Sequence, residues 1–359
     1  MAIYDKASLV LIPSGTKTSK VYSQKPTNGD GDFTFSRSTA ATRVNASGNI
    51  EKETQNLLLQ SNQFDTTWTT GFASVTSGQS GYDGSSDAWL LSKSGTNGRV
   101  QQSYSFNGSV LTLSVYAKAN TDNWLALFQG GKQTFFDLQN GVKGFSDSGV
   151  IASSIESAGN GFYRCSVTFN YNGSSTIRIY PADSDGDTTG TSGSIYIQDA
   201  QVEQGLVARD YIETTTTAIY GGITDNVPRL DYTDSSCPAL LLEPQRTNLA
   251  TQSEYFTDIF TENSGVTWES NSTTSPEGLV NAFKLNNSNA GSSGAYYVPL
   301  AFTINDTMTA SIFAKEGDVS ELLFGITNQN ESKSLYYSFD LSAGTATYDA
   351  NNGGILNGS

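Results

Sequence analysis

Leu111-Thr-Leu-Ser-Val-Tyr-Ala-Lys118 sets Leu111, Leu113, Val115 and Ala117 on one side of an extended chain and Thr112, Ser114, Tyr116 and Lys118 on the other. Successive side chains of a strand point to opposite faces, so a period of two with one apolar side predicts a sandwich strand. The pattern recurs in Met308-Thr-Ala-Ser-Ile-Phe-Ala-Lys315, where Met308, Ala310, Ile312 and Ala314 oppose Thr309, Ser311, Phe313 and Lys315.

These two stretches belong to a longer internal repeat. Asn56-Leu-Leu-Leu-Gln-Ser-Asn-Gln-Phe64 matches Asn248-Leu-Ala-Thr-Gln-Ser-Glu-Tyr-Phe256, Ala88-Trp-Leu-Leu91 matches Ala282-Phe-Lys-Leu285, and Phe136-Asp-Leu138 matches Phe339-Asp-Leu341. The offset grows slowly, from 192 residues at Asn56 and Asn248 to 203 at Phe136 and Phe339. Strands kept while loops gain residues produce that drift, and so long a period means duplicated domains rather than a solenoid. Further runs in the first copy, Phe162–Phe169, Thr176–Tyr180 and Ile195–Glu203, bring it to eight or more strands, spaced as in a jelly roll.

The expected architecture is therefore all-β: tandem jelly-roll β-sandwiches with an N-terminal extended arm. The arm takes residues 1–55, the first jelly roll 56–215, a Pro-rich connector 216–247, and a second jelly roll 248–359. In the connector, Pro228, Pro238 and Pro244 interrupt an apolar run, Ala239–Leu242, and exclude a helix or a central strand. Leu240 to Leu242 are expected to pack against a neighbour. The second copy reaches Ser359 before any equivalent of Gly161–Arg164 or Gln201–Gly205, so it is expected to be partial.

Composition narrows the function. Of 359 residues, 36% are apolar, 11% aromatic and only 15% charged, with 18 Tyr, 18 Phe and 4 Trp, which is enough for a core. The formal net charge of −15 argues against nucleic acid as a partner, because phosphate binding needs a basic footprint. It disfavours an anionic membrane surface as well. There is no histidine, which removes the commonest general base and any Ser-His or Cys-His triad. Cys165 and Cys237 lie in different halves and are expected to be free, buried thiols. No apolar run approaches membrane-spanning length, and the short run Leu9–Ile12 ends at Pro13, unlike a secretory signal.

Asn226 to Leu249 resembles a recurrent linker in structural and tail-appendage proteins of tailed bacteriophages. Ala7-Ser-Leu-Val-Leu-Ile-Pro-Ser14 and Phe33-Thr-Phe-Ser-Arg-Ser-Thr-Ala-Ala-Thr-Arg-Val-Asn45 are similar to the same group. Gly161–Arg164, Ile197–Gly205 and Ala208–Ile212 resemble the closing strands of carbohydrate-binding-module-like jelly rolls in phage tail proteins. The resemblance implies a virion protein, made in the host cytoplasm without a signal peptide. Its N-terminal segment would dock on other virion proteins, and it would work as a homo-oligomer against host cell-surface polysaccharide.

Two groups of residues are candidates for chemistry. In Asn123-Trp-Leu-Ala-Leu-Phe128, Trp124 and Phe128 share one face and Leu125 and Leu127 the other. Both faces are apolar, so one is free to meet the flat C–H face of a sugar. Trp124, Phe128, Tyr116 and Lys118 are the candidate glycan site; the competing reading puts Trp124 and Phe128 in the core between the sheets. Trp68 and Trp268 fall at similar places in the two repeats, which points to a structural role for them. Asp183, Asp185 and Asp187, in Asp183-Ser-Asp-Gly-Asp-Thr-Thr-Gly190, alternate around a glycine turn and suit a structural calcium ion. An EF-hand would need Glu where Ser194 stands, and a solvated acidic turn is the alternative. Asn28-Gly-Asp-Gly-Asp32 is a weaker case of the same kind.

The function expected is a tail or head fibre that touches host glycans through many weak contacts, and no enzyme. The alternatives are a purely architectural decoration or tail-assembly protein without ligand, and a polysaccharide depolymerase.

Overall fold

The computed structural model describes residues 3–38, 41–106, 110–171, 173–244, 246–250, 253–256, 261–262, 265–287, 296–297, 308–328, 333–348 and 354–355. The protein is all-β, with a single helix among these residues, the one-turn Ile3–Lys6. None of it is long and apolar enough to cross a membrane as a helix. Two compact units divide the chain, Met1–Pro299 and Leu300–Ser359.

Twelve strands of the first unit build a sandwich: β1 (Thr69–Gly71), β2 (Ala73–Gln79), β3 (Ala88–Lys93), β4 (Arg99–Phe106), β5 (Val110–Ala119), β6 (Trp124–Gln129), β7 (Lys132–Asp137), β8 (Val142–Ser146), β9 (Val150–Gly159), β10 (Phe162–Asn170), β11 (Gly173–Ala182) and β12 (Gly193–Gln204). They form two six-stranded sheets. One runs β8-β7-β6-β11-β4-β1 and the other β9-β10-β5-β12-β3-β2.

The apolar side of each strand explains the pairing. Leu111, Leu113, Val115 and Ala117 of β5 are fully buried and meet Leu125 and Leu127 of β6, Ile177 and Ile179 of β11, and Ile195 and Ile197 of β12 between the sheets. Burying one such side chain contributes about 1.5–3 kcal/mol. Phe64, Trp68 and Trp89 close one part of this core, with the Phe64 ring 4.9 Å from Trp68 and 6.1 Å from Trp89. Trp68 Nε1 donates to the Gln60 carbonyl, so the indole is buried without an orphaned donor.

The arm folds on itself. Val10–Lys17, Lys20–Lys25 and Phe33–Thr34 make a three-stranded sheet. It is tied to the connector, where Ser19 N donates to Asn226 O at 2.8 Å and Asn226 N to Arg37 O at 2.9 Å. Ile219–Gly222 of the connector pairs with Glu53–Asn56, just before the sandwich begins. Leu240 and Leu241 are half-buried, but Leu242 is 71% exposed, so the expected packing of all three is only partly met. Both cysteines are free; Cys165 is buried as expected, whereas Cys237 is exposed in the connector.

The repeat shows itself as recurring local structures. In the first copy β2 pairs with β3, with Thr76 opposite Leu90, a register shift, then Gln79 opposite Ala88. In the second, Val266–Thr273 pairs with Ala282–Asn287, with Glu269 opposite Lys284, a register shift, then Thr273 opposite Ala282. Phe256, Trp268 and Phe283 pack as Phe64, Trp68 and Trp89 do, with Phe256 5.0 Å from Trp268 and 5.6 Å from Phe283. By register, though, Trp268 stands at the position of Val75 and not of Trp68; it reaches the same phenyl ring from the hairpin. This second hairpin lies beside the sandwich's edge strand β9. Ser270 Oγ donates to Ile151 O at 3.2 Å, and Asn271 Nδ2 to Leu206 O at 3.1 Å.

The unit Leu300–Ser359 holds Glu321–Asn328, Lys333–Asp340 and Thr345–Tyr348 as an antiparallel sheet, with Gly354–Ile355 parallel to the middle strand. Its Phe339-Asp-Leu341 turn copies the one after β7. Asp340 Oδ1 accepts from Ser342 N and Ala343 N, as Asp137 Oδ1 accepts from Gln139 N and Asn140 N. Each turn ends on a glycine at positive φ, Gly344 and Gly141. Met308–Lys315, expected as a strand, is not one: residues 308–316 carry no strand and are mostly exposed. Its counterpart β5 is held by ladders from β10 and β12 on both sides. The described residues supply no such partners to 308–316, and an unpaired strand has nothing to satisfy its backbone.

Candidate functional site

The two outer faces of the sandwich differ. On the sheet containing β5, the outward residues are polar yet buried: Thr112 and Ser114 of β5, Ser166 and Thr168 of β10, Gln201 and Glu203 of β12. The chain after β12 folds back over them. Thr112 Oγ1 donates to Gly205 O (2.9 Å) and Thr168 Oγ1 to Leu206 O (3.1 Å). Gln201 Oε1 accepts from Ile212 N (2.8 Å), and Glu203 Oε1 accepts from Arg209 N (2.9 Å) and Gln201 Nε2 (2.6 Å). Burial pushes the Glu203 carboxyl above its ordinary pKa, against the pull of these donors.

Tyr116 and Lys118 project from this covered side. The Tyr116 ring stacks on Tyr82 at 3.9 Å, and the Arg164 guanidinium lies 5.3 Å from it. Lys118 Nζ sits 5.6 Å from the Phe162 ring. Tyr82 also donates its hydroxyl to Asp199 Oδ2 (2.9 Å). Burial, reinforced by Asp87 and Asp83, pushes the Asp199 pKa up to about 7.

Trp124 and Phe128 lie on the other sheet, outside the core, since Leu125 and Leu127 of the same strand take the inner side. They are half-buried and pack with Ala126, Phe135, Tyr180 and Ala182. The expectation of one site built from Tyr116, Lys118, Trp124 and Phe128 therefore fails: the two pairs face away from each other on opposite sheets. The alternative that Trp124 and Phe128 are core residues between the sheets fails too.

Strand register lays out the open face in rows. Gln133, Phe128, Arg178 and Gln101 stand side by side across β7, β6, β11 and β4. In the next row Phe135, Ala126 and Tyr180 stand side by side, with the Arg99 guanidinium 6.0 Å from the Tyr180 ring. The Arg178 guanidinium lies 4.5 Å from the Phe128 ring. A shallow cleft at this end is lined by Phe128, Gly130, Tyr171, Ser175 and Arg178 among others. Gly130, at positive φ, lets the turn pass close under the Tyr171 ring, which a Cβ would strike. Phe135, Ala126 and Tyr180 are buried, so the accessible aromatic surface is that of Trp124 and Phe128, edged by polar heads and suited to an apolar ring face carrying hydroxyls.

Sequence reasoning found Trp124 and Phe128 and missed Arg178, Tyr180 and Arg99. The signal was present in Thr176-Ile-Arg-Ile-Tyr180, where inward Ile177 and Ile179 force Arg178 and Tyr180 outward. Among the described residues the platform is not duplicated. In the sheet of residues 321–348, the register equivalents of Trp124 and Phe128 are Glu321 and Gly325.

The three aspartates proposed for calcium do not converge. Asp183 Oδ1 accepts from Lys93 Nζ (2.6 Å), Asp185 Oδ1 from Phe145 N (2.6 Å) and Asp187 Oδ1 from Thr189 N (2.8 Å). The cation beside Asp183 is the chain's own: Lys93 Nζ is buried and also faces Asp122 at 3.5 Å. No group of three metal-ligating side chains converges among the described residues. In the weaker acidic turn, Asp32 is taken by Ser23 N (2.8 Å) and Lys20 (3.1 Å).

No protein family and no curated protein matches the sequence. Among solved structures, the chain is similar to the β-1,4-galactotriose complex of TmCBM61, at 13% identity over 42% of this chain and 99% of that one, with a TM-score of 0.26. It is similar to the CBM22-1 xylan-binding domain of Paenibacillus barcinonensis Xyn10C, at 13% identity over 48% of this chain and 99% of that one, with a TM-score of 0.25. It is also similar to the enzymatically active domain of tailspike protein 4 of bacteriophage CBA120, at 19% identity over 42% of this chain but only 21% of that one, with a TM-score of 0.25.

Proposed function

We propose that the protein binds carbohydrate on the outer face of the β6-containing sheet, as a non-catalytic appendage of a tailed-phage particle. The observation that carries the binding is the pair of half-exposed aromatics Trp124 and Phe128, seated on the buried Phe135 and Tyr180, while the opposite face is sealed by the chain itself. Trp124 and Phe128 supply stacking area, and Gln133 and Gln101 supply donors at its margin. A shallow open site binds weakly, and many copies on one particle convert weak binding into avidity. With one such platform among the described residues, multivalency comes from copies of the chain, as in a homo-oligomer. Asp137, Asp147 and Asp185, the carboxylates beside this sheet, each accept a backbone N–H, which suits binding rather than hydrolysis.

The test is a glycan array probed with the full chain and with Phe128→Ala. Saturable binding lost in the variant supports the reading; a folded protein that ignores every host-surface glycan ends it. An architectural role is the second reading, favoured by exposed Ile3, Leu11, Ile12 and Phe33 on the N-terminal segment, which suit docking to another virion protein. Labelled-antibody electron microscopy of particles separates them: label on projecting fibres favours receptor contact, and even label over the capsid favours decoration.

A further inference from the structure

Arg178 is the feature the platform does not need for neutral sugars. Acidic side chains number 35 against 20 basic ones in this chain, so a guanidinium has carboxylates to spare. The other arginines of the sandwich use theirs or bond to backbone. Arg209 pairs with Glu203 and Glu277, and Arg164, whose Nε is also without a hydrogen-bond partner, has its terminal nitrogen taken by Arg209 O and Ser114 Oγ. Among the described residues Arg178 has no carboxylate within ion-pair distance, and its Nε is buried without a hydrogen-bond partner. Its planar group is held 4.5 Å from Phe128, at the mouth of the cleft lined by Tyr171 and Ser175. Arg99, 6.0 Å from Tyr180, likewise has no carboxylate; it donates to Gln101 Oε1 and Asn97 O.

A guanidinium kept free of carboxylates and fixed on an aromatic face is prepared for an anion that arrives with an apolar ring. Its rigid fork matches a carboxylate with two parallel hydrogen bonds. We propose that the glycan bound on this platform is acidic, with the carboxylate of a uronic-acid-type sugar received by Arg178 while its ring stacks on Phe128. This deepens the proposed function and rests on it. Arg178 sets specificity and Phe128 sets affinity for any saccharide.

The experiment uses the full chain against polyuronates, the same polymers after carboxyl reduction, sulfated glycans and neutral glycans. The variants are Phe128→Ala, Arg178→Gln and Arg178→Lys. Arg178→Gln should lose about tenfold or more in affinity for polyuronate, the scale of a charged hydrogen-bond pair, with neutral binding within about twofold. Arg178→Lys, which keeps the charge without the fork, should fall between. Phe128→Ala should weaken every glycan that binds. Equal binding of polyuronate and its reduced form overturns the acidic assignment and leaves the carbohydrate reading standing. Preference for sulfated over carboxylated glycans overturns the carboxylate assignment. No binding to any probe overturns both readings.

Discussion

The two outer faces of the sandwich begin from the same sequence grammar and end in opposite states. On β5 the outward residues Thr112 and Ser114 are polar, as a solvent face should be, and are buried under residues 205–214. On β6 the outward residues Trp124 and Phe128 are apolar, as a core face should be, and remain partly open. The polar face is closed by the chain's own backbone, whereas the apolar face buries Phe135, Ala126 and Tyr180 and leaves only Trp124 and Phe128 partly exposed. Alternation assigns side chains to faces, and only the path of distant chain decides which face is covered.

The strongest test breaks the sealed face. Glu203→Ala removes a buried acceptor from Gln201 Nε2 and Arg209 N and a partner from the Arg209 guanidinium. It should cost about 3 kcal/mol or more in urea unfolding; a loss under about 1 kcal/mol would mean that the lid contributes little.

The rim of the same face should titrate. Asp199 ionises at about 7 in the folded protein, pushed up mainly by burial, against about 3.9 unfolded. A raised carboxyl pKa makes its contribution greatest below the unfolded value, and that contribution is lost as pH rises to about 7. Wild-type stability should therefore fall between about pH 4 and 7 by roughly 2–4 kcal/mol through this group. Asp199→Asn, which keeps an acceptor for Tyr82, should flatten that slope; parallel pH profiles would refute the assignment.

On the apolar face, Trp124→Ala and Phe128→Ala should each cost about 1–2 kcal/mol in thermal unfolding, less than a core aromatic truncation, while weakening the binding of every glycan. Tyr116→Ala costs a similar amount through the lost stack on Tyr82, about 1 kcal/mol, but should leave glycan affinity unchanged. Loss of binding in Tyr116→Ala with Trp124→Ala silent would exchange the two faces. The smallest effect concerns calcium. With Lys93 already holding Asp183 and Asp122, adding millimolar calcium or a chelator should move Tm by less than about 1 °C; a larger rise with calcium would restore the metal reading.

The all-β class and the inward side of each strand were legible because they depend on neighbours along the chain. Leu111 to Ala117 and Ile177 with Ile179 read as core and are core. The repeat was legible where it was local, in the hairpin at Ala88 and Ala282 and the turn at Asp137 and Asp340. Contacts between distant segments were not. Grouping Tyr116 with Trp124 assumed that successive strands share a sheet, whereas β5 and β6 cross from one sheet to the other. The calcium turn read as three ligands because nothing local reveals that Lys93, about 90 residues earlier in the chain, points into it. Met308–Lys315 has the right pattern and lacks the flanking ladders that make its counterpart a strand.

The hairpin of residues 266–287 also bears on how the molecule behaves in company. β9 is a ten-residue strand at the margin of its sheet, a length that invites a second molecule to add its own strand there. Val266–Thr273 stands beside it, and Ser270 already occupies the Ile151 carbonyl. The duplicated segment would thus guard this edge against polymerisation. A chain cut after Thr215 should keep its sandwich core, yet turn cloudy on concentration long before it melts.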